Sequence, residues 1–206
     1  MKKPAGIPGG LSRFRIDFAY DGTDFAGWAK QPKLRTVQGE FLIALAKVFG
    51  ESDNDFGMRV AGRTDAGVHA TGQVIHIDLT QKQLKRLGRT VGMMGSLNDL
   101  LPQDIRIHSV SEAPAGFDAR YSAAYRRYRY VIADKLAPKN PLLARSTLWI
   151  KHEHGVRGVV RQRRHHRRPE DAGLHHQRQR QRGRRMGAAA AGADPDQTIG
   201  HQMLAA

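Results

Sequence analysis

The chain has 206 residues, with 34 Lys and Arg against 19 Asp and Glu, and no Cys. That length admits one large domain or two small ones with a real core, and the lack of Cys excludes a disulfide framework and thiol catalysis. A formal charge of +15 points to a polyanionic partner, most simply nucleic acid, and residues 1–150 are basic on their own account, with 22 basic residues against 14 acidic.

Residues 1–10, with Lys2, Lys3, Pro4 and Pro8, read as a flexible basic arm. From Arg13 to Tyr20 the pattern alternates strictly, with Phe14, Ile16, Phe18 and Tyr20 on one side, which predicts a half-buried strand. Asp21-Gly22-Thr23-Asp24 turns the chain, and Phe25-Ala26-Gly27-Trp28 forms a loop rich in aromatics. Aromatics on loops can stack bases, although packing against the core is their commoner use. Val37, Phe41, Ala44, Leu45 and Val48 fall at helical spacing, with Thr36 as N-cap and Gly50 as the stop. Met58 to Ala61 and Val74 to Leu79 read as strands, and Leu84, Leu87, Val91 and Met94 give a second helical stripe broken by Gly95. Ile105 to Val110 alternates again. The order β-α-β-β-α-β predicts an α+β, ferredoxin-like (RRM-like) unit over about residues 11–112, with both helices on one face of an antiparallel sheet. The other face of such a sheet is a common RNA platform.

Between the two middle strands runs V-A-G-R-T-D-A-G-V-H-A-T-G-Q-V, residues 60–74, in which Gly62, Gly67 and Gly72 mark backbone that needs positive φ or close approach. At its centre stands Asp65, with Arg63 as the nearest charged neighbour, a cation placed to keep the carboxylate ionised. An ionised Asp on a bounded loop suits a nucleophile. The loop offers no second carboxylate, Cys or His pair at metal spacing, which disfavours acid/base-pair and zinc chemistry. The competing reading is a glycine-rich hairpin with a surface ion pair.

Residues 113–124 connect to Tyr125-Arg126-Arg127-Tyr128-Arg129-Tyr130-Val131-Ile132. In extended form Tyr128, Tyr130 and Ile132 face one way and Arg127, Arg129 and Val131 the other. Interleaved aromatics and arginines suit a stacked, flipped base and its phosphates; an amphipathic strand with snorkelling arginines is the alternative. After Ile150 no Phe, Tyr or Trp occurs, and runs such as Arg163 to Arg168 and Gln177 to Arg182 lead into an Ala/Gly-rich stretch. Residues 151–206 therefore read as a disordered tail or a frame-shifted end, and His165-His166 and His175-His176 as part of a solvated basic segment rather than metal ligands. With no signal peptide and no apolar run of bilayer length, the expected location is the cytoplasm, with no membrane partner.

Tyr20 to Gln31 (Y-D-G-T-D-F-A-G-W-A-K-Q), Ala61 to His69 (A-G-R-T-D-A-G-V-H), Phe117 to Arg120 and Arg126 to Tyr130 together resemble TruA-type tRNA pseudouridine synthases, in the family's order. The resemblance covers roughly residues 11–150. It implies an enzyme that isomerises uridine to pseudouridine in the anticodon arm of tRNA with no cofactor and no metal. Asp65 matches the family's catalytic aspartate. Arg63 matches an arginine that helps hold the target nucleotide out of the stack, and Tyr128 the tyrosine that stacks on uracil, whose phenol is also placed to assist proton removal from C5. His69 joins these substrate-binding residues as a pin that holds the loop by a hydrogen bond. The resemblance also implies a homodimer and a second α/β half, which residues after about 154 do not resemble. Residues 113–150 are then the connector and first strand region of that second, incomplete domain. The competing function is a non-catalytic RNA-binding module built from the sheet and the basic tail.

Overall fold

In the computed structural model, which describes residues 10–52, 54–87, 90–151, 159–166 and 199–205, the alternating stretch becomes strand β1, Ser12–Tyr20. Phe14, Ile16, Phe18 and Tyr20 are buried, and the residues between them are half-buried. Helix α1, Val37–Phe49, starts where the Thr36 hydroxyl accepts the Gly39 N–H at 3.2 Å and stops where Gly50 adopts a left-handed conformation (φ 67°). It buries Val37, Phe41, Ala44, Leu45 and Phe49 against β1. Strands β2, Arg59–Val60, β3, His69–Leu79, and β4, Ile105–Glu112, complete the unit. The sheet runs β4-β1-β3, all antiparallel, with β2 on the other edge of β3. The predicted ferredoxin-like α+β arrangement is thus the one observed.

The second helical region differs from its expectation. It divides into α2, Gln81–Leu87, and α3, Thr90–Leu100, and α3 runs through Gly95. Met93 and Leu97 are the buried residues, with Leu101 next in the row, whereas Met94 is 37% exposed. The stripe at i, i+4 and i+8 gains more from burial than a mid-helix glycine costs, about 1 kcal/mol. Asn98 then ties α3 to β4, donating to the Ile107 carbonyl at 3.1 Å and accepting the Ile107 N–H at 2.9 Å. Thr80 and Gln83 form a reciprocal capping box at the start of α2, 2.7 and 3.2 Å.

The face of the sheet away from the helices is only partly open. Arg13 clamps both oxygens of Asp78 at 2.7 Å, and Arg15 pairs with Asp17 at 2.6 Å. The alternation that puts hydrophobic residues inward sets these charges side by side on the outer face, where they neutralise one another. The connector covers part of what remains: Phe117, Ala119 and Ala123 form a small core with Ala61, Val74 and Ala113. Arg13 also donates to the Phe117 carbonyl at 2.7 Å, and His76 Nδ1 accepts the Ala119 N–H at 2.9 Å.

Beyond the connector come β5, Ala123–Ala133, a 3₁₀ turn, Pro141–Ser146, and β6, Leu148–Trp149, which pairs parallel to the end of β5. Two stretches of the expected tail are strands: β7, Val159–His166, antiparallel to β5, and β8, Ile199–Ala205, which pairs with both β5 and β3. The physical reason is that β5 presents unpaired backbone groups along both edges, and any extended segment can meet them. Residues 1–9 of the basic arm, the Gln177 to Arg182 run and His175-His176 lie outside the described residues. Among the described residues no helix is long and apolar enough to cross a membrane.

Candidate active site

The loop between β2 and β3 carries Asp65, and a second loop, residues 21–28, supports it from behind. The Trp28 N–H donates to the Thr64 carbonyl at 3.0 Å and the Gly67 N–H to the Phe25 carbonyl at 3.2 Å. Tyr20 and Thr64 share a hydroxyl hydrogen bond of 2.7 Å beneath. Burial raises the pKa of the Tyr20 phenol, against the opposing pull of its bonds to Thr64 and Gln73. The two loops touch backbone to backbone. A Cβ at Gly27, whose φ is +98°, would lie 2.9 Å from the Thr64 carbonyl oxygen, and one at Gly22 would collide with the Val68 carbonyl. Of the three glycines singled out in the Asp65 loop, only Gly67 takes positive φ.

Asp65 and Arg63 are both exposed, and among the described residues neither side chain makes a hydrogen bond or an ion pair. The expected Arg63–Asp65 pair is therefore absent. With one residue between them on an irregular loop, the two side chains need not converge, and no third group draws them together. The Asp65 carboxylate is left uncommitted.

Arg63 lines a cleft of about 910 Å³ that Arg59, Arg120 and Arg126 also line. Trp28, Tyr121 and Tyr128 add its aromatic walls, and among the described residues no acidic side chain lines it. Trp28 is nearly buried by Phe18 and Phe41, ring centroids 6.0 and 6.4 Å away, so it forms a rigid wall. Tyr128 is half-buried against the main core; burial raises its phenol pKa, the Arg126 charge lowers it and Tyr130 raises it. The alternation of β5 puts Arg126 and Tyr128 on one side, and both reach the cleft. Arg59, Gln38 and Tyr121 were not singled out from the sequence. They come from β2, α1 and the connector, and no local pattern marks residues that only the fold brings together.

His69 lies apart from the cleft. Its ring is buried, with Nδ1 3.2 Å from the Gly22 N–H and 3.0 Å from Asp21, and Nε2 2.7 Å from the Arg145 carbonyl. It therefore joins the two loops to the 3₁₀ turn. Burial opposes ionisation of Asp21, but the Thr23 hydroxyl and N–H, His69 and Arg145 outweigh it and hold its pKa below the usual carboxylate range. Arg63 and Tyr128 thus line one cleft, Asp65 follows two residues after Arg63 without being among the lining residues, and His69 bonds the loop end to Gly22 and Arg145.

Cations and flat aromatic walls without an opposing carboxylate suit a polyanion that carries planar rings. A family model described as tRNA pseudouridine synthase matches residues 18–122, and this chain belongs to that family. The tRNA pseudouridine synthase A of Leifsonia xyli subsp. xyli is 49% identical over 162 residues, covering 73% of this chain and 56% of that protein. Its counterpart from Streptomyces avermitilis is 47% identical over 146 residues, covering 68% and 49%. That from Bifidobacterium longum is 46% identical over 143 residues, covering 65% and 47%. The chain spans about half the length of the curated relatives it matches.

Proposed function

We propose that this chain is a tRNA pseudouridine synthase that isomerises uridine in the anticodon stem-loop, with Asp65 as the nucleophile. The observation that carries the reading is an uncommitted carboxylate on a braced loop, two residues after Arg63, which lines a cleft that among the described residues holds four arginines, three aromatics and no acid. The reaction breaks the bond from uracil N1 to C1′, turns the ring and forms a bond from C5 to C1′. The C5 proton leaves and N1 gains one, so atoms and electrons balance without cofactor or metal. Asp65 assists either by capturing C1′ as the bond breaks or by adding to the ring. Arg63 holds the extruded nucleotide through its phosphate, and Tyr128 stacks on the uracil with its phenol available for the C5 proton. His69 acts by fixing the loop. The same reading places the enzyme in the cytoplasm and pairs it with a second copy.

The test is pseudouridine mapping by chemical adduct and primer extension on unmodified tRNA. The parent yields product in the anticodon arm, and Asp65→Asn yields none while still binding tRNA; product from Asp65→Asn refutes the role given to that residue. One observation favours a second reading, a non-catalytic RNA-binding module: Asp65 is not itself among the residues that line the cleft. Binding that is steeply salt-dependent, indifferent to tRNA fold and unaccompanied by product selects it.

A further inference from the structure

Where β2 ends, its ladder to β3 ends too, and the carbonyls that follow must find partners elsewhere. The Ala61 N–H still reaches the Val74 carbonyl at 2.8 Å. Its own carbonyl is taken by Arg126, which donates from Nε at 2.9 Å and also from Nη2. The next carbonyl, that of Gly62, accepts from Gln73 Nε2 at 2.8 Å. Two side chains thus capture the two peptides that lead into Arg63-Thr64-Asp65. Arg126 does more than cap one group, because its Nη2 reaches the Arg120 carbonyl at 3.2 Å as well. Arg126 therefore joins three separate segments: the root of the Asp65 loop, the connector that carries Arg120 and Tyr121, and β5, where Tyr128 lies two residues on.

We infer that Arg126 is a positioning residue, which sets the separation between the Asp65 loop and Tyr128 by spending its guanidinium on backbone carbonyls rather than on RNA phosphate. The fork geometry is what the task requires, since two N–H groups converge on one carbonyl while the same nitrogen serves another. A lysine ammonium at that position keeps the charge but not the fork. The catalytic consequence rests on the proposed function, whereas the strap itself does not.

The experiment compares the parent with Arg126→Lys and Arg126→Gln in three readouts. Amide hydrogen exchange is expected to accelerate at 61–66 and 119–121 in both variants, with β1 protection unchanged. The slope of tRNA affinity against salt stays as in the parent, and kcat for pseudouridine formation falls on the order of tenfold to a hundredfold with KM held. Exchange unaltered at 61–66, or a salt slope smaller by about one, makes Arg126 a phosphate ligand and overturns the inference. So does restoration of kcat by Arg126→Lys, or loss of β1 protection in both variants, which marks a role in the whole fold. A parent that forms no pseudouridine refutes the function instead, and the exchange data then decide the strap alone.

Discussion

His76 shows how a single residue reports its surroundings. It is fully buried on β3, and its Nδ1 accepts the Ala119 N–H, so the ring's proton belongs on Nε2, which has no hydrogen-bond partner. Burial, with Arg13 and then Arg59 nearby, pushes its pKa down to about 4 against the opposing pull of Asp118 and Asp78. The folded value lies below the ordinary 6.5, so the unfolded chain binds the proton more readily. This stability is complete above about pH 6.5 and is lost as pH falls toward 4, on the order of 3 kcal/mol across that window. Urea unfolding at a series of pH values is expected to show that slope in the parent and a flatter one in His76→Gln. An equal slope in both assigns the acid sensitivity to other groups.

Among the elements, the pair of loops at residues 21–28 and 61–68 is held by the absence of side chains as much as by contacts. Gly27→Ala brings a methyl group against the Thr64 carbonyl at a backbone angle that disfavours any side chain. A loss of about 1–3 kcal/mol is expected in urea unfolding, with pseudouridine formation falling further than stability does. At Thr36 the expectation is simpler, since Thr36→Ala removes the N-cap of α1 and costs about 1 kcal/mol. A cost below about 0.3 kcal/mol shows that water replaces the hydroxyl.

The elements also show which features were legible beforehand. The β1 alternation, the Thr36 and Gly50 signals and the ferredoxin-like order all stood in the sequence, because period and capping are local properties. The course of α3 through Gly95 is not legible locally, because Met93 and Leu97 are buried in a core that distant elements build. The candidate site divides in the same way. The interleaved aromatics and arginines of β5 stand in the sequence, but the division into an aromatic and a cationic face leaves out Arg126, which shares the cleft with Tyr128, and the cleft partners Arg59 and Tyr121 come from distant segments. The missing Arg63–Asp65 pair is a matter of side-chain direction on a loop, which sequence proximity does not fix.

Over the whole molecule the positive charge is not spread evenly in its effects. Arg13 and Arg15 are neutralised on the sheet by Asp78 and Asp17, and Arg35 pairs with Asp104 at 2.7 Å. Among the described residues of the cleft, Arg63 and Arg120 show no such ion pair, while Arg59 approaches Asp118 at 3.7 Å and Arg126 donates to the Ala61 and Arg120 carbonyls. RNA affinity is therefore expected to track the cleft. Arg63→Gln and Arg120→Gln should each reduce the slope of log affinity against log salt by about one, while Arg15→Gln leaves it unchanged. A response to Arg15→Gln equal to that of Arg63→Gln returns RNA binding to the sheet face.

The proposal that Asp65 drives isomerisation, in a chain about half the length of its relatives, can be read directly from the chemistry. The C5 proton of uracil must leave when C5 joins the sugar. Tritium release from tRNA transcribed with [5-³H]uridine, measured for the parent and for Asp65→Asn, therefore counts turnovers. Release by the parent and none by Asp65→Asn at matched tRNA binding is expected; equal release from both, or none from a parent that is folded and binds tRNA, refutes the role of Asp65.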